Sequence, residues 1–431
     1  MNITFLGAGY VGLTSGTVFA DLGNKVWVVR RSEDKVAMMK EGKVPFYEPG
    51  LDEVLARNVE AGRLIPTTSY EESVPNSDVV FISVGTPISD TGGADLSQVK
   101  AAAKRLAPLL STDYTVVVDK STVPPGTAKL VTKIIEEENP EAKFEVASCP
   151  EFLREGTALS DTQEPDRIVI GTKSEKAFQI LKELHEPLDT TIVHTSVESA
   201  EIIKYAANAY LALRIGFIDQ IANLCEEVGA DVGDVVEGIG SDNRIGDHYW
   251  YPGIGYGGYC FPKDVAALAA LFEKYVKEDN LFTKLDQYNR ARPAKYVEKV
   301  VEALGDLEGK EIAVLGLTAK PGTDDMRGSQ AVPFIHSLQE GGAKVKVYDP
   351  MGMPEAKKIL PDVEYAEGPY EALEGAAAMA VLCEWKDFED LDWEKVKEVM
   401  EGNFVFDAKR MFAPEEMKKL GFAYCGVGYS S

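Results

Sequence analysis

The residues best suited to chemistry lie in Gly257-Gly258-Tyr259-Cys260-Phe261-Pro262-Lys263-Asp264. Two glycines let the backbone pass close to another group. Pro262 suits the first turn of a helix, and Lys263 to Leu271 continues with helical apolar spacing. Cys260 is therefore expected at a helix N-terminus, with Lys263 one turn on. Free N–H groups, the positive end of the helix dipole and a nearby ammonium all favour thiolate over thiol, which makes Cys260 a candidate nucleophile. The competing reading is a small buried hydrophobe, the usual fate of a free cysteine.

A second chemical signature opens the chain. Ile3 to Leu6 reads as a strand, Gly7-Ala8-Gly9-Tyr10-Val11-Gly12 as a turn, the run to Leu22 as a helix, and Lys25 to Val29 as a second strand. In that context the three glycines predict a dinucleotide pyrophosphate seated at a helix N-terminus. An acidic residue normally ends the second strand and takes the ribose hydroxyls. Here Arg30 stands there, followed by Arg31 and Ser32. A guanidinium attracts a 2′-phosphate, so this end tilts toward NADP or dual use. The alternative is two solvated arginines beside the adenine, with NAD bound anyway.

The elements that must position these groups are legible as strands and helices in alternation. Continuous apolar runs at 78–84, 114–119, 144–148 and 167–171 predict a buried parallel sheet, with ligands at the carboxyl ends of its strands. That rim carries Thr86, Ser121, Thr122 and the segment after Pro150. Residues 197–228 hold no proline and one glycine, and predict one helix of about thirty residues with Lys204 and Asn208 on one face. A solvated lysine and asparagine is the bland reading of that pair. The strand pattern restarts at Glu311, without the glycine fingerprint; Lys320 and Arg327 flank its first turn as possible anion ligands. The expected architecture is α/β: two doubly wound Rossmann-like domains joined by a helical domain with a long central helix, divided 1–196, 197–300 and 301–431.

Composition narrows the function class. With 70 acidic against 45 basic residues the formal charge is −25, which disfavours nucleic acid or an anionic membrane as partner. No apolar run is long enough to cross a bilayer, and Met1 to Gly7 enters a strand directly, so neither a membrane anchor nor a signal peptide is expected. Five scattered cysteines and four histidines, with no Cys-x-x-Cys, argue against a disulfide framework or a bound metal and suit a reducing cytoplasm.

Taken together, Gly7 to Leu13, Lys120-Ser121-Thr122-Val123-Pro124, Pro150 to Gly156, Lys204-Tyr205-Ala206-Ala207-Asn208-Ala209, Gly257 to Asp264 and Thr323 to Arg327 resemble the nucleotide-sugar 6-dehydrogenases of the UDP-glucose/GDP-mannose dehydrogenase family, nearly end to end. The resemblance implies a four-electron oxidation of a sugar CH2OH to a carboxylate, with two dinucleotides reduced in turn (NAD by family habit). It implies that Cys260 forms a thiohemiacetal and then a thioester, that Lys204 steadies the oxyanion, and that Asn208, Thr122, Glu151 and Asp264 position or activate water. Gly7, Gly9, Tyr10, Val11, Gly12, Arg30, Lys35, Thr86, Ser121, Thr122, Glu155 and Arg327 match cofactor contacts. Glu151, Phe152, Leu153, Glu155, Lys204, Asn208, Arg244, Tyr251, Gly255, Gly257, Lys263, Lys320 and Arg410 match positions that hold the nucleotide sugar. Family members pair through the helical middle, so a homodimer or larger homo-oligomer is expected, with Arg244 acting across its interface. Two departures stand out: Arg30 in place of aspartate, and Tyr259 where serine is commonest. The Glu151 to Gly156 segment favours UDP-glucose, with GDP-mannose the runner-up. A plain two-electron alcohol dehydrogenase and a non-enzymatic nucleotide-sugar sensor are the competing readings.

Overall fold

A computed structural model describes residues 1–89, 92–110 and 113–429. The chain divides into two compact units, Met1–Ala207 and the residues from Asn208 onward. The first is built on an eight-stranded sheet: β1 (Asn2–Leu6), β2 (Lys25–Val29), β3 (Leu64–Thr67), β4 (Val79–Ile82), β5 (Thr115–Asp119), β6 (Phe144–Ser148), β7 (Arg167–Gly171) and β8 (Thr191–Thr195). Their order is β3-β2-β1-β4-β5-β6-β7-β8. Neighbours run parallel except β6 and β7, which meet antiparallel at Ser148 and Gly171. The expected all-parallel sheet is therefore mixed at that step.

β3 and β8 were not predicted, and both are edge strands. β3 is four residues long and contains Pro66, which only an edge tolerates. β8 alternates with polar residues and is mostly solvent-facing, so it lacks the continuous apolar signature of its neighbours. Strand order reverses around β1, which lies between β2 and β4. The crevice beyond the carboxyl ends of β1 and β4 is where a doubly wound sheet takes its ligand. Beneath it Phe5 stacks on Phe81 with centroids 4.6 Å apart, and Phe19 completes the layer.

Helix α1 (Tyr10–Asp21) leaves the glycine turn, and α2 (Thr127–Glu138) follows β5. The predicted long helix is α3 (Val197–Val228), 32 residues, with the Ser199 N–H donating to the Ser196 hydroxyl at its start. It crosses the division between the units. In the second unit α4 (Cys260–Tyr275) begins at the cysteine, and α5 (Leu281–Leu304) is capped by the Asn280 side chain, which accepts from the Thr283 N–H. The single glycine inside α3 has a steric reason. A Cβ built on Gly216 would stand 2.3 Å from Leu285 Cδ1 of α5.

The second sheet comprises β9 (Glu311–Leu315), β10 (Lys344–Tyr348), β11 (Glu364–Tyr365), β12 (Ala378–Val381), β13 (Phe404–Asp407) and β14 (Ala423–Gly426), all parallel, in the order β11-β10-β9-β12-β13-β14. Its core joins residues of α3, α5, the helix Ala331–Glu340 and the sheet, among them Ile218, Tyr296, Phe334 and Phe406. Among the described residues no helix is long and apolar enough to cross a membrane.

Candidate active site

The glycine turn after β1 has the shape a pyrophosphate needs. A Cβ on Gly7 would meet the Ser83 carbonyl at 2.3 Å, and one on Gly12 would meet the Gly7 carbonyl at 1.9 Å. These two glycines let the turn fold on itself. Gly9 differs: a Cβ there meets nothing within 4 Å. Gly9 is also the N-cap of α1, with no side-chain cap and no acidic residue in the first turn. Backbone amides and open space coincide there, so the cradle fits a dinucleotide's pyrophosphate. Neighbouring loops are laced to it: Ser83 donates to the Gly7 carbonyl at 3.0 Å, Thr86 to the Thr122 carbonyl at 2.9 Å and Ser121 to the Val84 carbonyl at 2.7 Å. Tyr10 and Val11 open α1, and the Tyr10 ring packs on Phe46 with centroids 4.1 Å apart. Arg30, just past β2, donates to the carbonyl of Ala8, and burial lowers its pKa. Lys35 lies in the helix Glu33–Lys40, which Ser32 caps.

The same unit pairs Glu151 with Lys204 at 3.2 Å, both buried. Glu151 also accepts the Leu153 N–H at 2.8 Å, and the Lys204 ammonium lies 5.2 Å from the Phe152 ring centre. The ion pair is desolvated, so its charges act strongly on whatever comes beside it. The turn carrying Glu155 is held by Glu48, a residue that pattern reading missed. Its carboxylate accepts the N–H groups of Gly156 and Ala158, each at 2.7 Å.

In the second unit Cys260 is half-buried at the start of α4. The buried Lys263 donates to Asp264 at 2.6 Å, and the other oxygen of Asp264 accepts from the Asn208 amide at 2.6 Å. Burial works against the Lys263 ammonium, but Asp264 and the Cys260 sulfur outweigh it and raise its pKa. Lys263 therefore stays charged within electrostatic reach of the thiol, and a cation beside a helix N-terminus favours thiolate. Tyr259 lies under two cations, the Arg327 guanidinium at 4.1 Å and the Lys263 ammonium at 5.4 Å from its ring centre. Arg327, expected as an anion ligand, is engaged by both oxygens of Asp325 at 2.7 and 2.8 Å.

The loop leading to Cys260 is fixed from α5. Asn289 accepts the Tyr256 N–H at 2.8 Å and donates to the Tyr256 carbonyl at 2.9 Å. The glycines here answer to close contacts inside the protein: a Cβ on Gly255 would stand 2.6 Å from Asn289 Oδ1, and one on Gly257 would stand 2.6 Å from the Gly328 carbonyl. The Tyr256 side chain is itself a core residue. Arg292 is fully buried. It donates to the Gly253 carbonyl at 2.5 Å, to Asn223 at 2.9 Å, to Tyr288 at 2.6 Å and to Tyr296 at 3.1 Å, and stands 3.2 Å from Asp219. Asp219 in turn accepts the Gly253 N–H at 2.8 Å; burial raises its pKa and the guanidinium opposes that. The signal for this network was present as polar residues 288, 289, 292, 296 and 299 at helical spacing on a face that must be buried.

The remaining expected residues are dispersed. Arg244 is exposed and engaged by Asp242, and Tyr251 is exposed. Arg410, at φ +56°, donates to Asp231 at 2.5 Å and to the Val427 carbonyl at 3.0 Å. Lys320 is half-buried in the turn after β9. At the end of β10, where a dinucleotide fold keeps its ribose-binding acid, Asp349 points inward. It accepts the Leu317 and Thr318 N–H groups at 2.7 and 3.1 Å and those of Met351 and Gly352 at 2.9 and 2.6 Å. This turn is closed by the protein's own carboxylate.

Replacing Arg292 by Leu strands Asp219 and the Gly253 carbonyl without their cation. Unfolding of the second unit in denaturant should lose about 3–5 kcal/mol. A loss under about 1 kcal/mol would show that the network is not what holds the loop.

Comparison with known proteins accounts for this arrangement. Residues 1–189 match the NAD binding domain model of the UDP-glucose/GDP-mannose dehydrogenase family, residues 198–291 its central domain and residues 313–414 its UDP binding domain. The chain is 46% identical over 435 residues to the UDP-glucose 6-dehydrogenase of Rhizobium meliloti, covering 99% of both, and 44% identical to UDP-glucose 6-dehydrogenase TuaD of Bacillus subtilis, covering 99% of this chain and 93% of that one. Among solved structures, a UDP-glucose dehydrogenase from Pyrobaculum islandicum superposes with a TM-score of 0.93 at 38% identity, covering 100% of this chain and 98% of the other. A UDP-D-ManNAc dehydrogenase from Pyrococcus horikoshii gives 0.89 at 28% identity, covering 99% of each. A cysteine at a helix N-terminus, a glycine cradle shaped for pyrophosphate and a full-length likeness on both comparisons place the chain in the UDP-glucose/GDP-mannose dehydrogenase family.

Proposed function

We propose that the chain oxidises UDP-glucose to UDP-glucuronate in two two-electron steps, reducing two NAD(P) per sugar. The observation that carries this reading is the constellation around Cys260: a thiol at a helix N-terminus beside a buried, charged Lys263, with Asp264 shared between Lys263 and Asn208. A simple alcohol dehydrogenase has no use for such a thiol. When bound, the dinucleotide accepts the hydride released at each oxidation. Overall, R–CH2OH, two oxidised dinucleotides and one water give R–COO⁻, two reduced dinucleotides and three protons.

The chain's own groups then have distinct tasks. The first oxidation converts the sugar's C6 alcohol to an aldehyde, and the hydroxyl proton leaves to a base. The Cys260 sulfur adds to the aldehyde carbon, giving a thiohemiacetal whose oxygen is negative until protonated. The Lys204 ammonium, held by Glu151, supplies the charge that steadies this oxygen. A second hydride loss leaves a thioester. Water adds to its carbonyl and expels the thiolate, with Glu151, Asp264, Asn208 and Thr122 orienting the water or taking its proton. Lys204 and Asn208 sit one turn apart on α3, so a single helix carries both the cation and the amide. The Glu151 to Glu155 turn, Lys263, Lys320 and Arg410 are assigned to holding the nucleotide sugar.

Arg30 supports use of NADP alongside NAD. It replaces the acid that would repel a 2′-phosphate and is tied to the glycine turn through the Ala8 carbonyl. We also assign a second copy of this chain to the exposed apolar residues of α3, namely Tyr210, Phe217, Leu224 and Val228. Their spacings of seven, seven and four put them on one stripe of the helix.

Four measurements test these assignments. Followed across UDP-glucose, UDP-N-acetylglucosamine and GDP-mannose, dinucleotide reduction should be fastest with UDP-glucose and yield two reduced cofactors per sugar. Cys260→Ser should lower acid formation by about a thousandfold or more; undiminished turnover would mean a two-electron alcohol dehydrogenase. Arg30→Asp should shift the NAD over NADP preference in kcat/KM by roughly tenfold toward NAD, and an unmoved ratio would remove Arg30 from cofactor choice. Phe217→Glu should reduce the mass seen by light scattering to that of one chain, and an unaltered mass would rule out α3 as the interface.

A further inference from the structure

Asp119, the last residue of β5, is wholly buried, and neither of its carboxyl oxygens has a hydrogen-bond partner among the described residues. It stands immediately before Lys120-Ser121-Thr122. The charge that bears on it is Glu201 of α3. Glu201 is buried too, but well supplied: its carboxylate accepts the Gly126 N–H at 2.8 Å and the Ala128 N–H at 3.0 Å, at the N-terminus of α2. Glu201 thus fastens the start of α3 to the loop that follows the Thr122 motif, three residues before Lys204.

We propose that Asp119 is a positioning residue that must stay protonated, so that Glu201 can remain ionised on the α2 amides and hold α3, and with it Lys204, in place. The proposal rests on the reading of Lys204 as the group that steadies the reacting oxygen. The assignment of the proton follows from the partners. Glu201 has two N–H donors and a helix dipole to favour its negative form, whereas Asp119 has none. Burial, together with the Glu201 charge, pushes the Asp119 carboxyl up to about 8. Burial also raises Glu201, and the amides of 126–128 oppose it.

Charged groups on α2 and at the start of α3, the elements that carry the Glu201 contacts, are engaged elsewhere. Lys129 of α2 and Glu198 of α3 form an exposed pair at 2.9 Å, Lys133 faces Glu137 at 3.6 Å, and Lys204 is held by Glu151. Lys120, next in the chain, lies over the Phe81 ring. No described cation is shown at the Asp119 carboxyl, so its ionisation would set two buried negative charges against each other.

The sign follows from proton binding. Asp119 holds its proton in the folded state well above the pH at which an unfolded aspartate releases it, so folding stability falls as pH rises from about 4 toward about 8 and levels off beyond. Asp119→Asn keeps the shape of the protonated form and cannot ionise. Thermal unfolding of the full chain should therefore show a midpoint gap, variant above wild type, that widens by several degrees across that range and then stays constant. Parallel curves, or an Asn variant less stable in alkali, would overturn the proposal. Glu201→Gln serves as the second variant: it removes the charge that opposes Asp119 ionisation, so the alkaline fall in midpoint should weaken. An unweakened fall would mean that the two carboxyls are not coupled. For the positioning role, kcat of Asp119→Asn should equal wild type near neutrality and exceed it severalfold above about pH 8, with KM unaltered. A flat ratio would sink that role. If the wild type turns over no nucleotide sugar, the function reading fails and the thermal comparison still decides the carboxyl pair.

Discussion

A guanidinium with no access to water governs the second unit. Arg292 is buried among Gly253, Asn223, Tyr288, Tyr296 and Asp219, and its donors meet oxygen on every side. Burying such a group is costly, and the cost is recovered only while that geometry is kept. That makes the loop around Gly253 a poor candidate for motion. Two further contacts extend the restraint toward Cys260: Asn289 holds Tyr256 through both its backbone groups, and Gly257 lies against the Gly328 carbonyl. A thiol at a helix N-terminus benefits from the dipole only if the helix start is held still, and this set of contacts does that.

The strands β3-β2-β1-β4-β5-β6 of the first sheet and the six of the second follow the same order, and the two diverge at one turn each. In the first unit Gly9 leaves space beside uncapped amides. In the second, Asp349 occupies the Leu317 and Thr318 amides of its own turn. The same fold thus offers an anion site in one case and closes it with a side chain in the other. What separates them is a short turn, which is why fold alone says little about the ligand.

Most of the architecture could be read from the amino acids because buried parallel strands announce themselves as unbroken apolar runs. β3 and β8 escaped because edge strands carry proline or polar residues and lack that mark. The helix start at Cys260 was legible since Pro262 and the apolar spacing after Lys263 each have a distinct local meaning. Glu48 and Asp119 were not, because the groups that give them significance lie far away in the chain. Glu48 meets Gly156 across 108 positions and Glu201 meets Gly126 across 75, and no local pattern encodes such contacts. The glycines before Cys260 were legible as a close approach, and at Gly257 the neighbour is the Gly328 carbonyl.

Gly216 carries a consequence for how such a chain can diversify. Glycine in mid-helix is unfavourable by about 1 kcal/mol relative to alanine, yet the space it leaves is filled by Leu285. A single methyl there would displace the Leu285 side chain of α5, the helix that bears both Asn289 and Arg292. A position without any polar atom, far along the chain from the thiol, thereby limits which neighbouring variants the thiol's surroundings can tolerate, and drift at Leu285 must follow drift at Gly216.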